Sequence, residues 1–168
     1  KVASCLNVVI NGFRFDFGVG GLHGSLESAV VRSNDTDKLI DADVKSFYPN
    51  MAISNRIYPL HLGDTFCKIY KDVYVQRQSF GKGTPENAVM KLALNGVYGD
   101  SNNEYSPFYD SSFTMKITVN GQLSLSLLVH RLVDIPDLQV IQANTDGVTV
   151  KHPRIYEEQY YSICKKWE

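Results

Sequence analysis

The chain has 168 residues, enough for one well-buried domain and short for two independent ones. Its 43% hydrophobic and 21% charged residues are ordinary for a globular protein, and no run approaches the roughly 18 uninterrupted apolar residues of a membrane span. A formal net charge of −1 withholds the excess of Lys and Arg that a free-standing nucleic-acid binder uses against phosphates, and counts against that class.

In chain order, Leu6–Ile10 and Phe13–Phe17 alternate as strands around Asn11-Gly12, a strong two-residue hairpin signal. Residues 18–24 are glycine-rich and read as a loop, and Leu26–Arg32 as a resumed strand. A turn over 33–37 leads into a strand, Lys38–Asp43, followed by Val44-Lys-Ser-Phe-Tyr-Pro49. Ser46–Ser54 reads as a short helix with Pro49 in its first turn. Asp64–Ser79 predicts a helix, broken by Gly81-Lys-Gly83. A second helix is predicted from Thr84, with a hydroxyl N-cap, Pro85 at the first position and Glu86 in the first turn, to about Tyr98. A short connection makes these two an antiparallel pair.

Leucines at helical spacing predict a core helix over Gly121–Leu132. Leu138–Ala143 and Val148–Val150 predict a second hairpin around Asn144-Thr-Asp-Gly147, and Pro153 opens a last helix toward Trp167. The expected fold class is α+β, an antiparallel sheet covered by helices. Cys5, Cys67 and Cys164, odd in number and scattered, fit neither a disulfide framework nor a paired-cysteine zinc site, and read as free thiols in a reducing cytoplasm. Nothing at the amino end has a secretion-signal layout. Lys1 leads straight into a strand pattern and Glu168 lies inside a helical one, so this chain is expected to be one part of a larger enzyme whose other parts carry the basic grip.

Asp43 and Asp146 carry the chemistry. They are strand-end carboxylates far apart in sequence, and hard divalent cations such as magnesium take oxygen ligands of this kind. The plainer alternatives are that Asp43 caps the helix near Ser46 and that Asp146 forms a turn. Asp41, on the pleat face of Asp43, is a lesser third acid. Lys91, Asn95 and Tyr98 lie four and three apart on one helical stripe, and Tyr70, Tyr74 and Arg77 do the same on the preceding helix. Lys91 and Arg77 are candidate phosphate ligands; a solvated cation beside a core tyrosine is the alternative.

Three motifs, in order, resemble those of family B DNA polymerases of the bacteriophage and prophage kind. Asp43-Val-Lys-Ser-Phe-Tyr-Pro49 is similar to the first, with Phe47 where leucine is usual. Lys91-Leu-Ala-Leu-Asn95-Gly-Val-Tyr98-Gly99 is similar to the second, with Gly96 for serine. Asn144-Thr-Asp-Gly147 is similar to the third, with Asn144 in place of its first aspartate, and 18–24 resembles the family's glycine loop.

The resemblance implies a polymerase palm over 1–168, with minimal fingers, a short antiparallel helix-pair insertion, at about 64–99; exonuclease and thumb regions are absent. It implies Asp43 and Asp146 as catalytic acids that hold two magnesium ions with the Val44 carbonyl. The amides of Ser46 and Phe47, with Lys91, Asn95 and Arg77, would bind a deoxynucleoside triphosphate, and Tyr48 would exclude a ribose 2′-hydroxyl. Tyr98, Gly99, Gly20, Gly21 and Thr145 would contact primer-template DNA. The implied partners are that DNA, deoxynucleotides and the remaining exonuclease and thumb parts of the parent chain, with no membrane, in a bacterial host cytoplasm. A catalytically silent palm-like nucleic-acid-binding module is the alternative. A reverse transcriptase is disfavoured by Ser46-Phe-Tyr-Pro49 and Asn95-Gly-Val-Tyr-Gly99.

Overall fold

The computed structural model describes residues 6–168, so the reading of Cys5 lies outside it. Where the length suggests one compact unit, the chain folds as two: residues up to Val44 with Gly121–Glu168, and Lys45–Asn120. Each has its own buried side chains, which is why the division arises.

The first unit is built on a six-stranded sheet of order β1-β2-β3-β5-β6-β4, every neighbour antiparallel. The strands are β1 Leu6–Ile10, β2 Phe13–Gly18, β3 Gly21–Ser25, β4 Asp37–Asp43, β5 Gln139–Asn144 and β6 Gly147–Pro153. Asn11 and Gly12 turn between β1 and β2 at φ 49 and 79, the positive values that match a hairpin's twist.

Two expectations are corrected here. The glycine-rich stretch is no long loop: Val19-Gly20 turns and Gly21–Ser25 is a strand. Gly24 serves packing rather than flexibility, since a Cβ there would lie 2.5 Å from the Arg14 carbonyl oxygen and 2.7 Å from the Phe13 ring. Leu26–Arg32 is not a strand. Its first residue bonds to the Ile141 carbonyl at 3.1 Å, and Ser28 then adopts φ 50, which breaks the extended course.

The register sorts side chains by face, because directly opposed residues point the same way. Phe13, Phe15, Leu22, Ala143, Val140, Val148 and Val150 are buried on one face. α4 (Ser111–Leu132) and α5 (Glu157–Trp167) cover that face. Leu125, Leu128, Val129 and Leu132 of α4 are buried, Tyr160 of α5 stacks on buried His152 at 4.9 Å, and Trp167 Nε1 donates to the Ser124 carbonyl at 2.8 Å. The other face carries Arg14, Asp16, His23, Ser25, Gln142, Asn144, Thr149, Asp41 and Asp43, none of them buried. One apolar and one polar face is the usual division of an antiparallel sheet.

The second unit is helical: α1 Phe47–Ser54, α2 Thr65–Gln78, α3 Pro85–Asp100 and the first ten residues of α4. Ala52, Phe66, Tyr70, Leu94, Phe113 and Ile117 form its core. Tyr70 Oη donates to the Leu94 carbonyl at 2.5 Å and Arg77 meets Asn87, so numbering falls along one helix as it rises along the other and the pair is antiparallel. The Thr84 hydroxyl caps α3 by accepting from the Asn87 amide at 3.3 Å.

α4 starts ten residues before the leucine pattern. The Asp110 carboxylate accepts from the Leu60 and Phe113 amides at 2.9 and 3.0 Å; both hold its carboxyl below the ordinary carboxylate range, and the bond from Phe113 starts the helix there. Among the described residues no helix is long and apolar enough to cross a membrane.

Candidate active site

Of the two aspartates predicted to share metal, Asp43 ends β4 and Asp146 lies in the turn that leads into the adjacent strand β6, both in the first unit. β4 pairs with β6 such that Asp43 stands opposite Gly147, and the Val44 amide donates to the Asp146 carbonyl at 2.8 Å. Neighbouring strands run about 4.8 Å apart, so backbone pairing alone brings residues 43 and 146 within about one strand spacing. Asp43 is exposed and Asp146 half-buried.

Gly147 makes this approach feasible. Its φ is not in the left-handed region, so the missing side chain answers a steric demand: a Cβ would lie 2.9 Å from the Ala42 carbonyl oxygen and 3.3 Å from the Asp43 Cα. Asn144 pairs with Gly147 from the other side, so Asn144, Gly147 and Asp43 form one row across three strands with no side chain in the middle.

Thr145 and Asp146 are the two turn residues between β5 and β6, so Asp146 is a turn former as well as a neighbour of Asp43. The N-cap position of α1 belongs to Ser46, not Asp43. Asp41 accepts from the Thr149 hydroxyl at 2.8 Å.

Among the described residues, no three of His, Cys, Asp or Glu gather as a metal cage. Magnesium commonly takes one or two carboxylates, keeps water and completes its octahedron with substrate phosphates. Asp43, Asp146 and the Val44 carbonyl are oxygen donors of the right hardness.

Other expected contacts of the first unit lie in the β2–β3 turn. Gly20 is a turn residue, and Gly21 opens β3 at φ 146 opposite Gly18. The Gly18 carbonyl accepts from Gln122 Nε2 at 2.5 Å, which pins the turn to α4. A groove of about 630 Å³ follows the sheet past Arg14, Asp16, His23, Ser25, Gln142 and Asn144. Apart from Asn144, the polar members of this groove are not singled out in the sequence; the period-2 alternation of β2 and β5 is the available signal.

The second unit holds the expected nucleotide-binding residues. Ser46 is left-handed, φ 51 and ψ 49, just ahead of α1, whose opening amides include that of Phe47. The Phe47 ring is buried and Tyr48 packs against the helical core. Tyr48 packs against Tyr98 with ring centroids 4.2 Å apart and planes tilted by 35°, and Tyr98 Oη bonds to the Thr118 hydroxyl at 2.8 Å. Lys91, Asn95 and Gly99 are exposed while Tyr98 is half-buried, so the stripe divides into solvent-facing residues and an inward aromatic.

Arg77, expected as a phosphate ligand, donates from Nη1 to Ser46 Oγ at 2.7 Å and from Nε to Asn87 Oδ1 at 3.4 Å. Beside it Lys45 Nζ donates to Gln78 Oε1.

No protein-family model matches the sequence, and no curated protein matches it. Solved structures do match. One is the family B DNA polymerase from the hyperthermophilic archaeon Pyrobaculum calidifontis, with a TM-score of 0.51 and 13% identity over 82% of this chain and 23% of that one. The chain therefore spans under a quarter of that neighbour's length, and at this identity the likeness is one of fold. The six-stranded antiparallel sheet and the five helices are compatible with a polymerase palm-like piece, and this chain is similar in fold to part of a family B DNA polymerase.

Proposed function

We propose that this chain is the catalytic core of a DNA-directed DNA polymerase of the phage or prophage family B kind. A primer 3′-hydroxyl attacks the α-phosphate of a deoxynucleoside triphosphate; a new P–O bond forms, the bond to the β-phosphate breaks, pyrophosphate leaves, and the hydroxyl proton passes to solvent. Asp43, Asp146 and the Val44 carbonyl would hold two magnesium ions, which supply charge neutralisation for the attacking and leaving oxygens.

The amides of Ser46 and Phe47, with Lys91, Asn95 and Arg77, would receive the triphosphate, and such positioning carries most of the catalysis in phosphoryl transfer. Tyr48, held by Tyr98, would exclude the ribose 2′-hydroxyl. Thr145, Gly20, Gly21, Tyr98 and Gly99 would contact primer-template DNA, with the polar groove of the sheet as its bed. Exonuclease and thumb parts of a longer parent chain in a bacterial host cytoplasm belong to the same reading. So does weak or absent extension by these 168 residues alone.

The observation that supports it most is the β4–β6 register, which sets Asp43 opposite Gly147 with Val44 bonded to Asp146. A second reading, a silent palm-like nucleic-acid-binding module, draws on Asn144, a neutral amide in the same row as Asp43. Calorimetric titration of magnesium with and without deoxynucleotide separates them. Nucleotide-dependent metal uptake that Asp146→Asn abolishes is expected; no deoxynucleotide-dependent metal uptake in the complete protein would favour the silent module.

A further inference from the structure

We propose that Asn87 is a positioning residue for the triphosphate, acting through Arg77; the inference rests on the active-site reading above and deepens it. Arg77 is on the last turn of α2, where a long, flexible side chain has many rotamers open to it. Two contacts select one. Nη1 donates to Ser46 Oγ at 2.7 Å, and Nε donates to Asn87 Oδ1 at 3.4 Å.

Asn87 is itself fixed. Its side-chain nitrogen donates to the Arg77 and Phe80 carbonyls at 3.2 and 3.0 Å, and its backbone amide is capped by the Thr84 hydroxyl at 3.3 Å. The residue therefore ties the end of α2 to the start of α3 and orients the guanidinium from one side while Ser46 holds it from the other.

A guanidinium has five N–H donors, of which these contacts use two, and a phosphate is recognised best by a fork already held in plane. Removing Asn87 leaves the charge of Arg77 intact and takes away its aim. The loss should fall on the phosphate tail and spare base and sugar.

The test uses the 168-residue chain with magnesium and either a deoxynucleoside triphosphate or the matching monophosphate, in a double-mutant cycle of Asn87→Ala and Arg77→Ala. Asn87→Ala should weaken triphosphate binding about tenfold, leave the monophosphate unchanged, and add nothing in the Arg77→Ala background. Unaltered triphosphate affinity, equal losses on both nucleotides, or the same loss in both backgrounds would overturn the proposal, since a purely structural asparagine gives the last two. Asn87→Ser, whose hydroxyl suits a first helical turn, repeats the test should alanine unfold the chain. Asp146→Asn separates the two levels. If it abolishes metal-dependent binding while the cycle shows no coupling, only the role of Asn87 fails; if it binds like wild type, or if wild type binds neither nucleotide, the active-site reading fails and takes the proposal with it.

Discussion

The sheet unit and the helical unit place their candidate residues by different means. In the first, the backbones of Asp43 and Asp146 are brought together by the main chain, through the register of β4 on β6 and one amide-to-carbonyl bond. In the second, Arg77, Ser46, Tyr48 and Tyr98 are set by side-chain contacts between helices. Backbone placement suits groups that must not move, and side-chain placement suits groups that must be tuned or released.

The largest effect should come from the backbone-set pair. If the proposed function holds, Asp146→Asn in the full-length protein should lower single-nucleotide incorporation by at least about 1,000-fold, because a neutral amide would replace a charged metal ligand. Lys91→Ala in the side-chain-set unit should lower it by only about tenfold. Equal effects in quenched-flow assays would erase the contrast.

Tyr48→Ala should next reduce discrimination against ribonucleotides by about 10- to 100-fold, read as a ratio of kcat/KM values for paired nucleotides. Unchanged sugar selectivity would reduce Tyr48 to a core residue. Gly147→Val should destabilise the fold by about 1–3 kcal/mol in urea unfolding, since its Cβ would press on the Ala42 carbonyl oxygen. A neutral result would show that the β4–β6 register yields more readily than backbone placement implies.

Asp110→Ala should lose about 1 kcal/mol at neutral pH, by removal of the α4 cap. The Asp110 carboxyl is held low in the folded chain, so its contribution is complete above the unfolded carboxylate value and disappears as pH falls through the folded one. Wild type and variant should converge in acid, and a gap that persists there would point to another cause. Smallest is Gly96→Ala: nothing lies within 4 Å of the new Cβ, and the gain should be about 0.5–1 kcal/mol of helix propensity.

Much of this architecture is legible in the sequence where one local signal is decisive. Asn11-Gly12 between alternating runs specifies its hairpin, and Thr84-Pro85-Glu86 specifies the start of α3. The approach of Asp43 to Asp146 was inferable from two strand ends and a turn. The start of α4 was obscured because residues 111–120 hold Thr, Ile and Val, poor helix formers, and the cap at Asp110 gains meaning only once Phe113 and Ile117 find the helical core. β3 was hidden because its glycines signal loops, whereas the need at Gly24 is set by Phe13 on another strand. Asn87 gives no sign at all in sequence; its role depends on Arg77 and Phe80, which meet it only when α2 turns back on α3.

The Tyr70 phenol that joins α2 to α3 bears on how such experiments respond to ionic strength. Burial pushes its ionisation well above the ordinary phenol value, so it remains a neutral donor to the Leu94 carbonyl across the whole working pH range. With apolar packing around it, the helix pair is joined at that point by forces that added salt barely screens. On the proposed reading, a steep decline of nucleotide affinity between dilute and concentrated buffer would report attraction between Lys91 or Arg77 and phosphate rather than loosening of the α2–α3 contact at Tyr70.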